Sequence, residues 1–351
     1  MKFLFCCSII SVSQIETAID GGQNHQNFHV FFSNELKTAT HGFSSSNKIG
    51  VGGFGSIYKG RLQDGTFVAV KVLSIELKSM RGEREFISEL AALSDITHES
   101  LVKLIGCCID GTNRYLVYDS MENNSLTHSL LGGEQNRMKF NIRRDILLGV
   151  ARGLAYLHKG IEPHIVHRDI KASNILIDQN FKPKVSDFGL SRLLRDNNSY
   201  ISTGVAGTLG YLAPEYAISG HMTRKSDVYS FGVLLLEIIS GRQVVVFDLE
   251  QGEYYLVQKA WEVYNAGNLV KLVDPTLQMN YPEEEAIRFF KVGLLCVQEN
   301  VRLWPTMSEA LKMLCNEMDI QDVQISRPGL VADLMDIKLN QKIDGFEAVE
   351  S

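Results

Sequence analysis

Three polar residues in the stretch 164–190 have the types and the spacing that metal-dependent phosphate chemistry uses. Asp169 and Asn174 are five residues apart, and Asp187 follows directly before a Phe-Gly pair. Their oxygens are hard ligands suited to Mg²⁺, and such a set leaves one carboxylate free to act as a base. Each acid alone could instead cap a turn. All three in this order and spacing favour phosphoryl transfer.

Short apolar runs predict the strands that position these three residues. Ile165 and Val166 lead into the first loop, residues 175–177 form a second strand, and residues 182–185 lead to Asp187. The polar residues therefore lie on loops at strand ends, where a rigid scaffold can hold them together.

A glycine-rich run upstream lies inside a predicted hairpin. Ile49 opens a strand, the run GVGGFG follows at 50–55, and residues 56–62 and 66–72 flank a Gln-Asp-Gly turn. A dinucleotide-binding fold would place a helix directly after the glycines, so the hairpin excludes that fold. The pattern favours a loop whose backbone amides face phosphate oxygens.

Lys71 ends the apolar run 68–70, where an inward-pointing ammonium would be unstable without an anion. It could instead protect an edge strand. The predicted helix 82–94 offers an anion, because Glu89 falls on the same face as the apolar Phe86. We therefore expect Lys71 to pair with Glu89.

Composition limits the remaining possibilities. The chain has 351 residues, of which 45% are hydrophobic and 22% are charged, as in ordinary globular proteins. The net charge of -6 disfavours nucleic acid as the main partner, because backbone binding needs a basic face. Six cysteines without framework or metal-site spacing favour a reducing, intracellular compartment. We find no uncharged apolar run of the length that spans a membrane.

The motif His-Arg-Asp at 167–169 with Asn174, followed by Asp-Phe-Gly at 187–189, resembles the catalytic and magnesium loops of the eukaryotic protein kinases. Lys171 resembles the serine/threonine-kinase form of that loop. The resemblance covers about residues 43–317. It implies an α+β, bilobal protein kinase fold, with a small five-stranded antiparallel β lobe carrying one key helix and a larger, mainly α-helical lobe.

The same resemblance implies four segments. They are an N-terminal tail with a short helix (1–42), the kinase N-lobe and hinge (43–121), the kinase C-lobe (122–318) and a disordered C-terminal tail (319–351).

Two motifs narrow the family further. Residues 207–216 and 226–237 resemble the plant receptor-like kinases related to Pelle and IRAK. With no ectodomain or membrane span in the sequence, the chain is similar to the receptor-like cytoplasmic kinases and to their cold-responsive branch. The implied activity transfers the γ-phosphoryl group of ATP, with Mg²⁺ or Mn²⁺, to Ser/Thr hydroxyls of protein substrates. An upstream receptor kinase is the implied activator.

Two alternatives come from other functional classes. A pseudokinase acting as a scaffold usually lacks Lys71, Asp169 or Asp187, and none is lost here. A small-molecule phosphotransferase would lack the segment 207–215, which in protein kinases docks the peptide.

The resemblance also assigns roles to single residues. Asp169 accepts the substrate proton, Lys171 steadies the γ-phosphate, and Lys71 with Glu89 positions the α- and β-phosphates. The metal ligands are Asn174 and Asp187, and the nucleotide contacts are Ile49, Gly50, Val51, Gly52, Gly53, Phe54, Gly55, Ile57, Ala69, Lys71, Tyr118, Asp119, Met121 and Leu176.

Regulation is expected in the polar segment after the magnesium loop. A phosphate on Ser202 or Thr203 could pair with Arg168, which would otherwise lack an anion, and so order the segment. Thr208 is different, because the resemblance places it against Asp169 in the peptide-docking site.

The N-terminus allows three interpretations. Its short apolar run could be a weak signal-peptide core, a disordered tail, or a segment that is S-acylated at Cys6 and Cys7. Two acyl chains suffice for stable membrane anchoring. The expected location is the cytoplasm, with peripheral attachment to the plasma membrane if both cysteines are acylated.

One departure from the family concerns the large lobe. Kinases usually have Arg directly before the Pro at 305, where it pairs with the glutamate at 215, but this chain has Trp304. We expect Glu215 to lack its cation unless Arg302 replaces it, and Trp304→Arg is then expected to raise the melting temperature.

Overall fold

The computed structural model describes residues 28–52, 55–74, 81–121, 123–131, 138–195, 200–248 and 252–331. The chain divides into two compact units. The first contains residues up to 86 together with 104–119, and the second contains 87–103 together with the residues from 120 onward. The first is built on a β-sheet and the second is mainly helical. The predicted α+β fold with a β lobe and a helical lobe is confirmed.

The first unit contains one sheet with the strand order β1-β5-β6-β4-β3-β2. Its strands are β1 (His29–Val30), β2 (Lys48–Gly52), β3 (Gly55–Arg61), β4 (Phe67–Ser74), β5 (Leu104–Asp110) and β6 (Asn113–Asp119). The five predicted strands are present and pair in antiparallel fashion. The sixth, β1, lies in the segment predicted to be a tail and pairs in parallel with β5.

Gly106 permits the attachment of β1 to the sheet. A Cβ atom at this position would lie 1.9 Å from the His29 carbonyl oxygen, so a side chain would displace the strand. Phe31 continues the contact, since its amide donates to the Cys107 carbonyl oxygen at 2.9 Å. Helix α1 (Ser33–Ala39), in the segment where a short helix was predicted, then buries Leu36 completely. The N-terminal segment from residue 29 onward is therefore part of the folded unit.

Helix α2 (Arg81–Leu93) follows the sheet strand β4 in the chain. Its buried apolar positions include Phe86 and Leu93, which lie on one face at helical spacing. The same helix also buries three carboxylates, Glu83, Glu85 and Glu89. Buried acids need cations or hydrogen-bond donors, so these three carboxylates indicate that α2 forms polar contacts as well as apolar packing.

The second unit is organised around helix α6 (Arg224–Ser240), whose residues 226–240 are all buried. Its apolar residues occur nearly all round the helix, which is the pattern expected of a core helix. The other helices of this unit are α3 (Leu126–Leu131), α4 (Phe140–Ala155), α5 (Pro214–Ser219), α7 (Leu256–Asn265), α8 (Glu283–Cys296) and α9 (Met307–Leu314).

Short strand pairs of the second unit place the loops that carry the polar motifs. The pairs are β7 (His164–Val166) with β10 (Arg192–Leu194), β8 (Ile175–Ile177) with β9 (Pro183–Val185), β11 (Ile201–Ser202) with β12 (His221–Met222), and β13 (Val245–Asp248) with β14 (Gly252–Tyr255). The predicted strands on either side of the catalytic loop correspond to β7, β8 and β9.

The C-terminal segment differs from the predicted disorder of 319–351 over its first part. Ile320, Ile325 and Leu330 are each buried, and the Glu299 amide donates to the Arg327 carbonyl oxygen at 2.8 Å. The apolar residues in this segment are buried although their spacing has no regular period. Residues 332–351 lie outside the described part of the chain.

Among the described residues, no helix has the length and hydropathy needed to cross a bilayer.

Candidate active site

The buried carboxylate of Asp227, near the start of α6, positions the catalytic loop. It accepts hydrogen bonds from the His167 and Arg168 backbone amides, each at 2.8 Å, and contacts His158 Nε2 at 2.9 Å. Burial acts to raise the pKa of Asp227, but the hydrogen bonds from His158 and His167 outweigh it and lower the pKa below its usual value. The carboxylate is therefore ionised and holds the loop backbone in place.

Asp169, Lys171 and Thr208 form a closed set of polar contacts. The Lys171 ammonium lies 2.8 Å from Asp169 Oδ2 and donates to Thr208 Oγ1 at 2.9 Å. Thr208 in turn donates to Asp169 Oδ1 at 2.7 Å. Thr208 therefore lies against Asp169 and Lys171, and each oxygen of the Asp169 carboxylate has a defined partner. Its role in docking a peptide stays a prediction.

Asn174 is oriented by the same aspartate. Its Nδ2 donates to the Asp169 carbonyl oxygen at 2.8 Å and to Asp169 Oδ2 at 3.0 Å. The donating end of the amide is thus occupied, which leaves the amide oxygen as the ligand atom. An amide oxygen of this kind is a donor that fits a hard divalent cation.

Asp187, the second predicted ligand, has an unusual backbone conformation. Its φ of 65° lies in the left-handed region, which is uncommon for residues other than glycine and is found most often at functional sites. Neighbouring contacts hold it there, because Phe188 is fully buried and Ser186 donates twice to the Asn174 carbonyl oxygen, each time at 2.9 Å. The Asp187 and Asn174 loops are therefore tied together, and their oxygens suit a divalent metal ion.

Arg168 is connected to the segment that follows the Asp-Phe-Gly motif. Its Nη1 donates to the Leu190 carbonyl oxygen at 3.1 Å, and its Nη2 donates to the Gly204 carbonyl oxygen at 2.8 Å and to the Tyr216 hydroxyl. Its Nε is buried and has no hydrogen-bond partner among the described residues. The hydrogen bonds of the guanidinium thus go to neutral oxygens rather than to an anion.

The two predicted phosphorylation positions lie on an ordered part of this segment. Ser202 is exposed and belongs to β11, while the Thr203 amide donates to the Gly220 carbonyl oxygen at 3.1 Å. Ser202 is accessible to a modifying enzyme. Whether a phosphate there pairs with Arg168 stays a prediction.

In the first unit, the ammonium of Lys71 contacts the carboxylate of Glu85. Lys71 is 6% exposed, which agrees with the predicted inward orientation. Glu89 is 1% exposed and so lies on the buried face of α2, as predicted, but its pairing with Lys71 stays a prediction. Sequence reasoning missed Glu85, which lies one helical turn before Glu89 and therefore shares its face.

The glycine-rich run occupies the β2–β3 hairpin, in which Gly50 pairs with Ile57 and Gly52 with Gly55. A Cβ atom at Gly55 would lie 2.0 Å from the Val72 carbonyl oxygen, so this position needs glycine for close strand approach. Ile49 is 49% exposed and Val51 is 75% exposed, as loop residues that contact a ligand can be. The predicted contacts Gly53 and Phe54 lie outside the described residues.

The other predicted nucleotide contacts are distributed over both units. Ala69 and Lys71 share one face of β4 because side chains alternate along a strand, and Ala69 is opposite Tyr118 of β6. Asp119, which ends β6, and Met121 are partly exposed. In the second unit, Leu176 is the partly exposed central residue of β8.

Comparison with known proteins decides the family. A family model described as "Protein kinase domain" matches residues 43–332. The chain belongs to the protein kinase family. This kinase is 50% identical over 339 residues to Cold-responsive protein kinase 1 of Arabidopsis thaliana, an alignment that covers 95% of this chain and 86% of the relative.

Other relatives support the same subgroup. A putative serine/threonine-protein kinase of Helianthus annuus is 66% identical over 242 residues, covering 67% of this chain and all of the relative. A probable LRR receptor-like serine/threonine-protein kinase of Arabidopsis thaliana is 46% identical over 320 residues, which is 91% of this chain and 31% of that protein. The chain is a plant receptor-like kinase that uses ATP and a divalent metal to phosphorylate serine and threonine in proteins, and the scaffold alternative is disfavoured.

Tyr211 and Glu237 form a buried contact that sequence reasoning did not identify as part of the site. The Tyr211 hydroxyl donates to the Glu237 carboxylate, and the Tyr211 carbonyl oxygen accepts from Ser230 Oγ at 2.7 Å. Burial raises the pKa of Glu237 to about 7. These bonds attach the segment after Thr208 to α6, the helix that also carries Asp227. The signal in the sequence was a glutamate within a helix of apolar residues.

Glu215 lacks the cation that kinases usually provide. Both carboxylate oxygens are buried without a hydrogen-bond partner among the described residues, and burial raises the pKa to about 7. Arg302 is exposed and forms no ion pair in the described part of the chain, so it does not replace the missing arginine. Trp304 is buried, and its indole N–H donates to the Gln298 carbonyl oxygen at 2.6 Å.

Proposed function

We propose that Asp169 is the base that accepts the proton of the substrate hydroxyl. The observation that carries this proposal is the set of contacts around its carboxylate, which Lys171, Asn174 and Thr208 hold in one orientation. A base acts efficiently only when it is positioned within hydrogen-bond reach of the proton. Lys171, beside it, would also balance charge on the transferred γ-phosphoryl group.

The metal in this proposal is Mg²⁺, held by the amide oxygen of Asn174 and the carboxylate of Asp187. Mg²⁺ takes oxygen ligands and usually binds through one or two carboxylates together with substrate phosphates. The orientation of the Asn174 amide supports this assignment, because its nitrogen is already committed to Asp169. Mn²⁺ has similar ligand preferences and is the alternative metal.

The nucleotide phosphates would be bound by Lys71 and by the backbone of residues 50–55, with Glu89 as a partner of the lysine. Tyr118 would be the gatekeeper at the back of the adenine pocket, and residues 119–121 would offer backbone groups to adenine. The inward orientation of Lys71 and the close strand approach at Gly55 support these roles.

The proposal is tested by autophosphorylation of the purified kinase with radiolabelled ATP, with Mg²⁺ and Mn²⁺ compared. Asp169→Asn should abolish transfer while ATP affinity stays nearly unchanged, because the carboxylate acts on the hydroxyl and not on the nucleotide. The control is Asp322→Asn, the same change at an exposed position of the same unit, which should retain full activity. Substantial transfer by Asp169→Asn would contradict the assigned role.

We further propose that the kinase acts in receptor-linked signalling, with a receptor kinase upstream and peripheral attachment to the plasma membrane. The support is the resemblance to receptor-like kinases and the pair Cys6 and Cys7, which lies outside the described residues. Palmitate labelling of the wild type and of Cys6→Ser/Cys7→Ser, followed by membrane fractionation, tests the attachment. Equal labelling of the two proteins would rule out these cysteines as the acylated sites.

A further inference from the structure

Lys71, the lysine proposed to bind the nucleotide phosphates, has an acidic partner, Glu85, that the kinase motifs do not include. Lys71 contacts Glu85, and the two side chains are 8% and 7% exposed. An ion pair this far from water is barely screened by salt, so its charges affect any third charge that binds nearby. Glu85 therefore contributes to the electrostatic field of the lysine.

A second ion pair holds the same part of α2 against the sheet. Arg114 Nε and Glu83 Oε2 lie 2.9 Å apart, as an ion pair without hydrogen-bond geometry, and both residues are buried. The Arg114 guanidinium also lies over the Phe86 ring, 6.0 Å from its centroid. The Arg114–Glu83 pair and the Lys71–Glu85 pair share no residue, so a substitution at Glu83 removes the first pair without removing the second.

We propose that Glu85 tunes nucleotide affinity by partly neutralising Lys71. The proposal rests on the proposed role of Lys71 in binding the α- and β-phosphates. An ammonium that already contacts a buried carboxylate presents a weaker positive field to phosphate oxygens than one without it. Glu85 is then an affinity-setting residue that acts through the lysine and does not touch the nucleotide.

A purely structural role for Glu85 makes a different prediction. If the ion pair only supported the fold, its loss would lower stability and change affinity for every ligand alike. If it acts through the lysine charge, its loss changes affinity for phosphates and leaves the adenosine moiety unaffected. Comparison of ADP with adenosine separates the two roles.

The experiment measures the Kd of ADP and of adenosine by isothermal titration calorimetry on the full-length chain. The neutral variants are Glu85→Gln and Glu85→Met, and Glu85→Asp keeps the charge. We expect the neutral variants to bind ADP on the order of tenfold more tightly, with adenosine unchanged. Glu85→Asp should stay close to the wild type. Glu83→Gln, which breaks the neighbouring ion pair, should leave the ratio of the two affinities unchanged.

Three results would overturn the proposal: weaker ADP binding in the neutral variants, an equal change for ADP and adenosine, or failure of both neutral variants to fold while Glu83→Gln folds. Lys71→Met separates this inference from the underlying function. If that variant keeps wild-type ADP affinity, the proposed role of the lysine is wrong. If it loses ADP affinity while Glu85→Gln has no effect, only the role of Glu85 is wrong.

Discussion

The unpaired carboxylate of Glu215 predicts a gain in stability from a single neutralising substitution. Both of its oxygens are buried without a partner among the described residues. A buried charge without a partner destabilises the fold, whereas a neutral amide of the same shape avoids that cost. Glu215→Gln should therefore stabilise the kinase above pH 7 and have little effect on stability near pH 4.5.

The size of the effect follows from the pKa of Glu215, which burial raises from 4.5 to about 7. A carboxyl whose pKa is raised on folding binds its proton more tightly in the folded state. The stabilisation from that proton is complete below pH 4.5 and is lost as the pH rises through 7. The shift corresponds to about 3 kcal/mol of unfolding free energy, or a change in melting temperature of roughly 6 °C.

The assay is thermal melting of the wild type and Glu215→Gln between pH 4.5 and pH 9. A matched control is Glu309→Gln, because the Glu309 carboxylate accepts from the Thr306 amide at 2.7 Å and from Thr306 Oγ1 at 2.8 Å, which lower its pKa. That control should lose stability at pH 8, with a smaller loss as the pH falls below 4.5. A lower melting temperature for Glu215→Gln at pH 8, or an equal shift at both pH extremes, would refute the reasoning.

Three further predictions concern the same lobe and the site. Trp304→Arg should lower the melting temperature, contrary to the expectation from sequence, because loss of a buried Trp costs about 3–5 kcal/mol. Arg302→Ala should melt like the wild type. A higher melting temperature for Trp304→Arg would contradict the packing argument. Lys71→Arg should severely reduce kcat/KM, since a planar guanidinium does not replace a compact ammonium, and normal turnover would show the assigned role to be wrong. Thr208→Ala should nearly eliminate activity because Thr208 contacts the Asp169 carboxylate, whereas Thr203→Ala should retain a basal rate. Steady-state kinetics of both variants before and after phosphatase treatment test these expectations. If phosphatase treatment does not change the activity of the wild type, activation by phosphorylation of this segment is excluded.

Local sequence patterns predicted the catalytic loop because its residues are close in the chain and lie between recognisable strands. Asp169 and Asn174 are five residues apart, so one loop conformation brings them together. The inward orientation of Lys71 followed from the apolar run that precedes it, and Lys71 is buried. The expected position of Thr208 came from the family resemblance, and Thr208 contacts both Lys171 and Asp169.

Long-range pairing and single buried residues were beyond the reach of periodicity. The strand β1 has two residues, too few to show alternation, and its partner Gly106 lies far along the chain. Glu85 and Glu89 share one helix face, so periodicity alone could not choose between them as partners of Lys71. The segment that follows residue 319 buries isolated residues such as Ile325 without any regular period.

The pairing of β1 with β5 determines where a membrane tether would join the enzyme. If Cys7 carries an acyl chain, the tether runs from Cys7 to His29, the first residue that pairs with the sheet, and not to residue 43, where the kinase domain begins. Twenty-one residues lie between Cys7 and His29, so the distance between these two residues is about 75 Å at most. A force applied through this tether would act on β1, an edge strand of two residues. The buried side chains of Phe31 and Leu36, which follow β1 in the chain, would resist its detachment. A kinase tethered in this way would phosphorylate only substrates that lie, or diffuse, within reach of the membrane-attached enzyme.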